Sequence, residues 1–319
     1  VRPGVGGLLT LMRTDNAMSS WLATNSGAIK HRVFTGSTCA GREISASLAA
    51  RAVNVDIASP FITASLELGG SDAAYVDSDV PAESVPKVAR LLADVGRLHN
   101  AGQACCAVKR LLVHDSHYDE VAAAVAAAFA GQKMGDPMDP TTTIGPIFTG
   151  MKGCSELFAA VLDAQARGAR VVVGGEDVTG LGFAELQGLI VSQIEMGWFF
   201  KPTLLLDCTP GMAACREETF GPLLAMSRVG SVAEAAAVTS ESPFGLTSSI
   251  WTQSEEAAAE FIAGVDTGTV FVNDCNNVHA ELAWCGTKFS GNMVGGMGLD
   301  GFRAFTYPRS VLRNKRLPR

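Results

Sequence analysis

Asn100-Ala101-Gly102-Gln103-Ala104-Cys105-Cys106-Ala107 follows an apolar helical pattern, Val88 to Leu98, and precedes a strand-like run, Arg110-Leu111-Leu112-Val113. A helix that breaks at a glycine-containing loop and then feeds a short apolar strand is a unit of alternating α/β architecture. The loop sets Cys105 where a nucleophile would stand. Backbone amides around it can lower a thiol pKa and later hold an oxyanion. A cysteine by itself is more often an inert packing residue, so its neighbours along the chain have to decide between the two.

Working outward, the same alternation recurs. Strands are predicted at Arg32 to Thr35, Ala73 to Val76, Arg110 to Val113, Arg170 to Val173, Thr203 to Leu206, Ser248 to Thr252 and Thr269 to Val272. Ala-rich helices are predicted at Ala40 to Val53, Pro86 to Leu98, Ser116 to Ala130, Ser155 to Arg167, Val232 to Thr239 and Ser254 to Val265. Strands separated by helices of this length imply a mostly parallel sheet with helical crossovers. No internal repeat is evident.

Composition narrows the function classes. At 319 residues, with 47% apolar and 18% charged residues, the chain can bury a large core and reads as more than one domain. A net charge of -7 argues against a nucleic-acid partner, and the basic run from Arg313 to Arg319 reads as a solvated tail. The longest near-apolar run, Val121 to Gly131, is too short to span a bilayer, so no membrane partner is expected. The eight cysteines and five histidines show no metal-ligand spacing, and no metal is expected. A reactive thiol fits a reducing compartment, and the cytoplasm is the expected location, with the mitochondrion as the alternative.

Six motifs in order identify a resemblance. They are Phe34-Thr35-Gly36-Ser37-Thr38, Leu66-Glu67-Leu68-Gly69-Gly70, Asn100 to Cys105, Glu217-Glu218-Thr219-Phe220-Gly221-Pro222, Ser242-Pro243-Phe244-Gly245-Leu246 and Gly286-Thr287-Lys288-Phe289-Ser290-Gly291. Together they resemble the aldehyde dehydrogenase superfamily, from about residue 30 to the C-terminus. The resemblance implies an α/β fold in which a Rossmann-type coenzyme domain precedes a parallel-sheet catalytic domain, with the catalytic cysteine in the cleft between them. It also implies NAD or NADP as cofactor, a small aldehyde as substrate, and a homo-oligomer, dimer or tetramer. The implied division is a truncated coenzyme domain over 1–66, a catalytic domain over 67–285 and a C-terminal segment over 286–319.

By the same resemblance Cys105 is the thiolate that adds to the aldehyde, giving a thiohemiacetal and then a thioester. Glu67, at the end of the strand-like Thr63-Ala64-Ser65-Leu66, is the group that activates the deacylating water. A carboxylate in such a half-apolar place should have a raised pKa. Its bland alternative is a solvated or salt-bridged glutamate. Gly36 and Ser37 open the helix from Ala40 and offer amides and a hydroxyl to a pyrophosphate. The resemblance further assigns Leu68, Gly69, Glu218 and Phe220 to the cofactor, with Glu218 on ribose hydroxyls and Phe220 against the nicotinamide side. Lys288 and its glycine-flanked loop are expected to form the far cleft wall without a catalytic role. Glu217, Asp274, Asn276 and Asn277 are expected at the substrate mouth.

The chain also departs from the pattern. Extra residues are expected near Val53 to Phe61, in Asp77 to Ser84 and over Val178 to Gly197, and Asn292-Met293-Val294-Gly295 replaces the usual Gly-Arg-Glu. The N-terminal region looks shortened, and the family's oxyanion-hole asparagine and ribose-binding lysine are not found. Two other functions follow from that: a thiol esterase that needs no cofactor, or a catalytically impaired subunit that assembles with others. The Gly70-Ser71-Asp72 and Cys105-Cys106 sequences resemble members acting on succinate semialdehyde or on aromatic and aliphatic aldehydes.

Overall fold

A computed structural model describes residues 9–57, 59–175 and 198–313, so the stretch from Val178 to Gly197 lies outside the described residues. The first elements are α1 (Asn16–Asn25), β1 (His31–Thr35), α2 (Thr38–Ala52) and β2 (Thr63–Glu67). Strands β1 and β2 form a small parallel sheet in which Thr35 stands opposite Glu67. Helix α2 covers it through Ile44 and Leu48, which pack on Ala64, Leu66 and Leu68. Helix α1 was not expected from the sequence. Its Asp15 cap accepts from the Met18 amide at 2.7 Å, and none of its residues is buried.

The chain then enters a larger sheet through β3 (Asp72–Val76), followed by α3 (Val85–Leu91), β4 (Val108–His114), α4 (Tyr118–Ala130), α5 (Met151–Ala166), β5 (Arg170–Val173) and β6 (Thr203–Leu206). A short α6 (Ala213–Arg216) leads to β7 (Leu223–Val229) and α7 (Val232–Ser240). The two-residue β8 (Phe244–Gly245), β9 (Thr247–Trp251), α8 (Glu255–Gly264) and β10 (Thr269–Val272) come next, then β11 (Thr287–Lys288) and α9 (Gly298–Arg303). The large sheet runs β10-β9-β3-β4-β7-β6-β5 and is parallel except for the β5–β6 edge pair. Residues Ala73 to Val76 are all buried, as a central parallel strand with helices on both faces requires. One face packs Leu111 and Val113 against α3 and α4, and the other packs Tyr75 and Ile250 against Phe261 and Ala235.

The helix predicted over Pro86 to Leu98 is not one α-helix. Helix α3 stops at Leu91 and a π-helical stretch, Leu92–Leu98, replaces its second half. Two contacts give the reason. A Cβ on Gly96 would lie 3.2 Å from Val108 and 3.3 Å from Cys275, and the fully buried Arg97 donates through Nη2 to the Thr219 carbonyl at 2.8 Å. The widened π turn lets both fit, which a local helical pattern cannot reveal.

Candidate active site

The Cys105 loop begins with three successive left-handed residues, Asn100 (φ 53°), Ala101 (φ 54°) and Gly102 (φ 73°). Asn tolerates this conformation and Gly requires no Cβ, whereas Ala101 adopts it at a cost of about 1 kcal/mol. A Cβ at Gly102 would also collide with the Gly221 carbonyl. The loop therefore turns sharply against the segment that carries Glu218. Gln103 fixes it from the other side: its Nε2 donates to the Pro146 carbonyl at 3.1 Å and its Oε1 accepts from the Phe148 amide at 2.6 Å.

Cys105, half-buried in this loop, is a free thiol. Its pKa is lowered to about 7, first by a hydrogen bond from the Cys106 thiol and then by the charge of Lys109, against the opposing effect of burial. The Cys106 thiol also donates to Asn276 Oδ1 at 3.0 Å. Cys106 itself is buried and pushed upward, which makes Cys105 the thiolate of the pair. Lys109 is fully buried, and its Nζ donates to the carbonyls of Ala104 at 2.8 Å and Cys105 at 2.5 Å. It ties the backbone of Cys105 to the start of β4. Its own pKa is lowered by burial, while Asp72 opposes that shift.

Glu67 ends β2 and is 8% exposed. Neither carboxylate oxygen has a hydrogen-bond partner, and its pKa rises to about 7, through burial first and the neighbouring Cys105 charge second. The backbone around it is held tightly. The Gly36 amide donates to the Glu67 carbonyl at 3.0 Å, the Leu68 amide donates to Ser290, and Gly291 pairs with Glu67 as an isolated bridge. Asn292, at the position where the sequence departs from the usual motif, accepts from the Leu66 amide and donates to the Ala64 carbonyl, so it extends the edge of β2. The far side of Glu67 meets Gly296 and feels Cys285.

A cleft of about 740 Å³ opens beside Cys105. Gly36, Ser37, Leu68, Gly69, Glu218 and Phe220 all line it with Cys105, whereas Glu67 does not and stands behind Leu68 on the side of the 284–296 loop. Ser37 is the N-cap of α2, accepting from the Ala40 amide at 3.2 Å, and it lines the cleft together with Thr35 and Gly36. Gly41 lets the helix settle on Leu68, where a Cβ would clash. Glu218 Oε1 accepts from the Gly70 amide at 3.1 Å, and a Cβ on Gly69 would strike the same carboxylate.

Several expected placements differ. The Lys288 ammonium donates to the Ser240 carbonyl, and its loop clamps the end of β2 in place of walling the cleft. Asn276 donates to the Val95 carbonyl and meets Cys106, so it braces the Cys105 loop. Glu217 lines the cleft beside Glu218. Lys109, Gln103 and Arg97 were missed as site-building residues. Lys109-Arg110, two cations at the start of an otherwise apolar strand, were the signal available for the first. Among the described residues no group of three His, Cys, Asp or Glu could hold a metal ion, and no helix is long and apolar enough to cross a membrane.

Residues 6–311 match the model of the aldehyde dehydrogenase family. A succinate-semialdehyde dehydrogenase [NADP(+)] from Mycobacterium avium (strain 104) is 34% identical over 278 residues, which cover 87% of this chain and 52% of that protein. The crystal structure of lactaldehyde dehydrogenase from Escherichia coli is similar at TM-score 0.74 and 28% identity, covering 89% of this chain and 53% of that one. Betaine aldehyde dehydrogenase from Staphylococcus aureus in complex with NAD+ gives TM-score 0.75 at 25% identity, covering 89% and 51%. The chain spans about half the length of these relatives.

Proposed function

The chain belongs to the aldehyde dehydrogenase family, and from that premise we propose that it oxidises a small aldehyde to the carboxylic acid with NAD or NADP as hydride acceptor. What supports this most is convergence: residues distant in sequence, Gly36, Ser37, Leu68, Gly69, Glu218 and Phe220, line one cleft with Cys105. Those residues fit a dinucleotide. The N-terminus of α2 with Ser37 presents donors suited to a pyrophosphate, Gly69 carries no side chain that would displace the Glu218 carboxylate, and Glu218 offers two oxygens to vicinal hydroxyls. Phe220 supplies an apolar wall, and Leu68 closes the floor. A dinucleotide held by these residues would supply the hydride acceptor for the oxidation.

The protein's own residues divide the remaining work. The Cys105 sulfur bonds to the aldehyde carbon and makes a thiohemiacetal, and near neutral pH a large share of it is already thiolate. Lys109 holds the Cys105 backbone and keeps positive charge beside the nucleophile. Once the carbon is oxidised to the thioester, Glu67 takes a proton from water as the oxygen attacks, and Cys105 leaves as thiolate. With a pKa of about 7, Glu67 is poised to accept that proton near neutral pH. The same two groups would hydrolyse an activated ester without cofactor, which favours thiol esterase chemistry as a second reading and provides a separate assay.

Calorimetric titration of NAD and then NADP tests the cofactor assignment without choosing an aldehyde. Saturable binding that Glu218→Ala weakens about tenfold supports it; absence of heat with both cofactors overturns it. Cys105→Ala should abolish both aldehyde oxidation and p-nitrophenyl acetate hydrolysis. Aldehyde oxidation that survives this substitution would show that Cys105 is not the nucleophile.

A further inference from the structure

A second cavity, of about 280 Å³, lies away from the cleft and is lined by Arg110, Cys215, Arg216, Ser227 and Glu241 among others. Cys215 sits in α6, and its carbonyl accepts from Ser71 Oγ at 3.4 Å. Cys208 lies just past β6, held by its amide donating to the Met226 carbonyl at 3.0 Å and by Ser227 Oγ donating to its own carbonyl at 2.8 Å. Both thiols are free, each residue is 5% exposed, and both pack in one buried cluster, where each shifts the other's titration. Two neighbouring buried thiols with both backbones pinned are a pre-arranged dithiol. Only one of the two lines the cavity.

We propose that Cys208 and Cys215 form a peroxide-responsive dithiol site, in which Cys215 reacts first through this cavity and Cys208 closes the disulfide. The Cys215 sulfur attacks one oxygen of hydrogen peroxide and breaks the O–O bond, giving a sulfenic acid and one water. The Cys208 sulfur then attacks the Cys215 sulfur, breaking its S–O bond and releasing a second water. The two thiols lose two hydrogens and two electrons in all, and the peroxide is reduced to two waters. The order of attack follows the surroundings. Cys215 is held below the usual thiol range, by the Cys208 hydrogen bond first and by Arg110 as well, while Cys208 is pushed upward. All three donating nitrogens of Arg110 are occupied by the Ser71, Val238 and Thr239 carbonyls, so its charge stays fixed beside the pair. None of this depends on Cys105 or on the dehydrogenase assignment.

Trypsin gives a direct readout, because Lys201 precedes a proline and the peptide 171–216 holds Cys208, Cys215 and no other cysteine. The folded chain is treated with a few equivalents of hydrogen peroxide, alkylated in denaturant, digested and weighed. The expected peptide is two hydrogens lighter and takes no alkyl group until dithiothreitol is added, after which it takes two. In Cys208→Ala, Cys215 should be trapped by dimedone as sulfenic acid. In Cys215→Ala, oxidation of Cys208 should slow about tenfold or more. A fully alkylated peptide at a peroxide dose that oxidises Cys105 overturns the proposal, and so does Cys208 oxidising at the parent rate in Cys215→Ala. The parent-chain map decides the matter even if a variant fails to fold.

Discussion

Glu67→Gln should change the pH dependence of stability by about 2 kcal/mol between pH 5 and pH 8. The Glu67 carboxyl titrates at about 7 in the folded chain, against an ordinary value near 4.5, because it is buried with both oxygens unpartnered and faces the Cys105 charge. The folded state therefore binds this proton more tightly than the unfolded state. As pH rises from about 4.5 to about 7, the unfolded chain ionises first, and folding loses stability through that window. The full displacement corresponds to about 3 kcal/mol, most of which falls between pH 5 and pH 8. Part of it belongs to coupling with the Cys105 thiolate, which leaves about 2 kcal/mol for the carboxylate alone. A buried amide with unpartnered groups costs about 1–3 kcal/mol, but at every pH alike. The informative quantity is thus the stability change at pH 8 minus that at pH 5, from urea unfolding followed by tryptophan fluorescence. It should be positive, with the variant gaining relative stability at pH 8. A difference near zero, or of opposite sign, would refute the claim that Glu67 is held as a high-pKa carboxylate.

Alkylation of Cys105 by iodoacetamide should have its half-maximal rate at about pH 7, since a lowered thiol pKa moves the reactive thiolate into neutral pH. In Lys109→Met that midpoint should rise by part of the displacement, with the rate at pH 7 falling about twofold, because the Cys106 effect remains; an unmoved midpoint would show that Lys109 acts on the backbone alone. Gly69→Ala places a methyl against the Glu218 carboxylate and should weaken NAD or NADP binding in calorimetry by about tenfold, about 1.4 kcal/mol. Gln103→Leu removes the ties to Pro146 and Phe148 and should lower stability to urea by about 2 kcal/mol. It should also speed proteolysis near Phe148, and proteolysis unchanged from the parent would argue that other contacts hold this wall.

Most individual elements were legible because their signals are local. Helix α2 announces itself through the Ser37 cap, and the Cys105 loop through its glycine between a helical and a strand pattern. Strand β7 escaped notice. Its residues Leu223 to Met226 are buried on both faces, and a continuous apolar run lacks the alternation that distinguishes a strand from a helix. The π turn at Leu92–Leu98 was equally hidden, since Val108, Cys275 and Thr219 make it fit and all three are remote in sequence.

For the candidate site, residue types and motif order pointed to Cys105, Glu67 and the cofactor-facing group, because those chemistries need particular side chains at particular places in the chain. The sheet order, the burial that raises Glu67, the Lys109 tether and the Cys208–Cys215 contact were decided only by the tertiary structure. A pKa depends on which charges and how much water surround a group, and those neighbours come from strands and loops that meet only after the sheet has assembled.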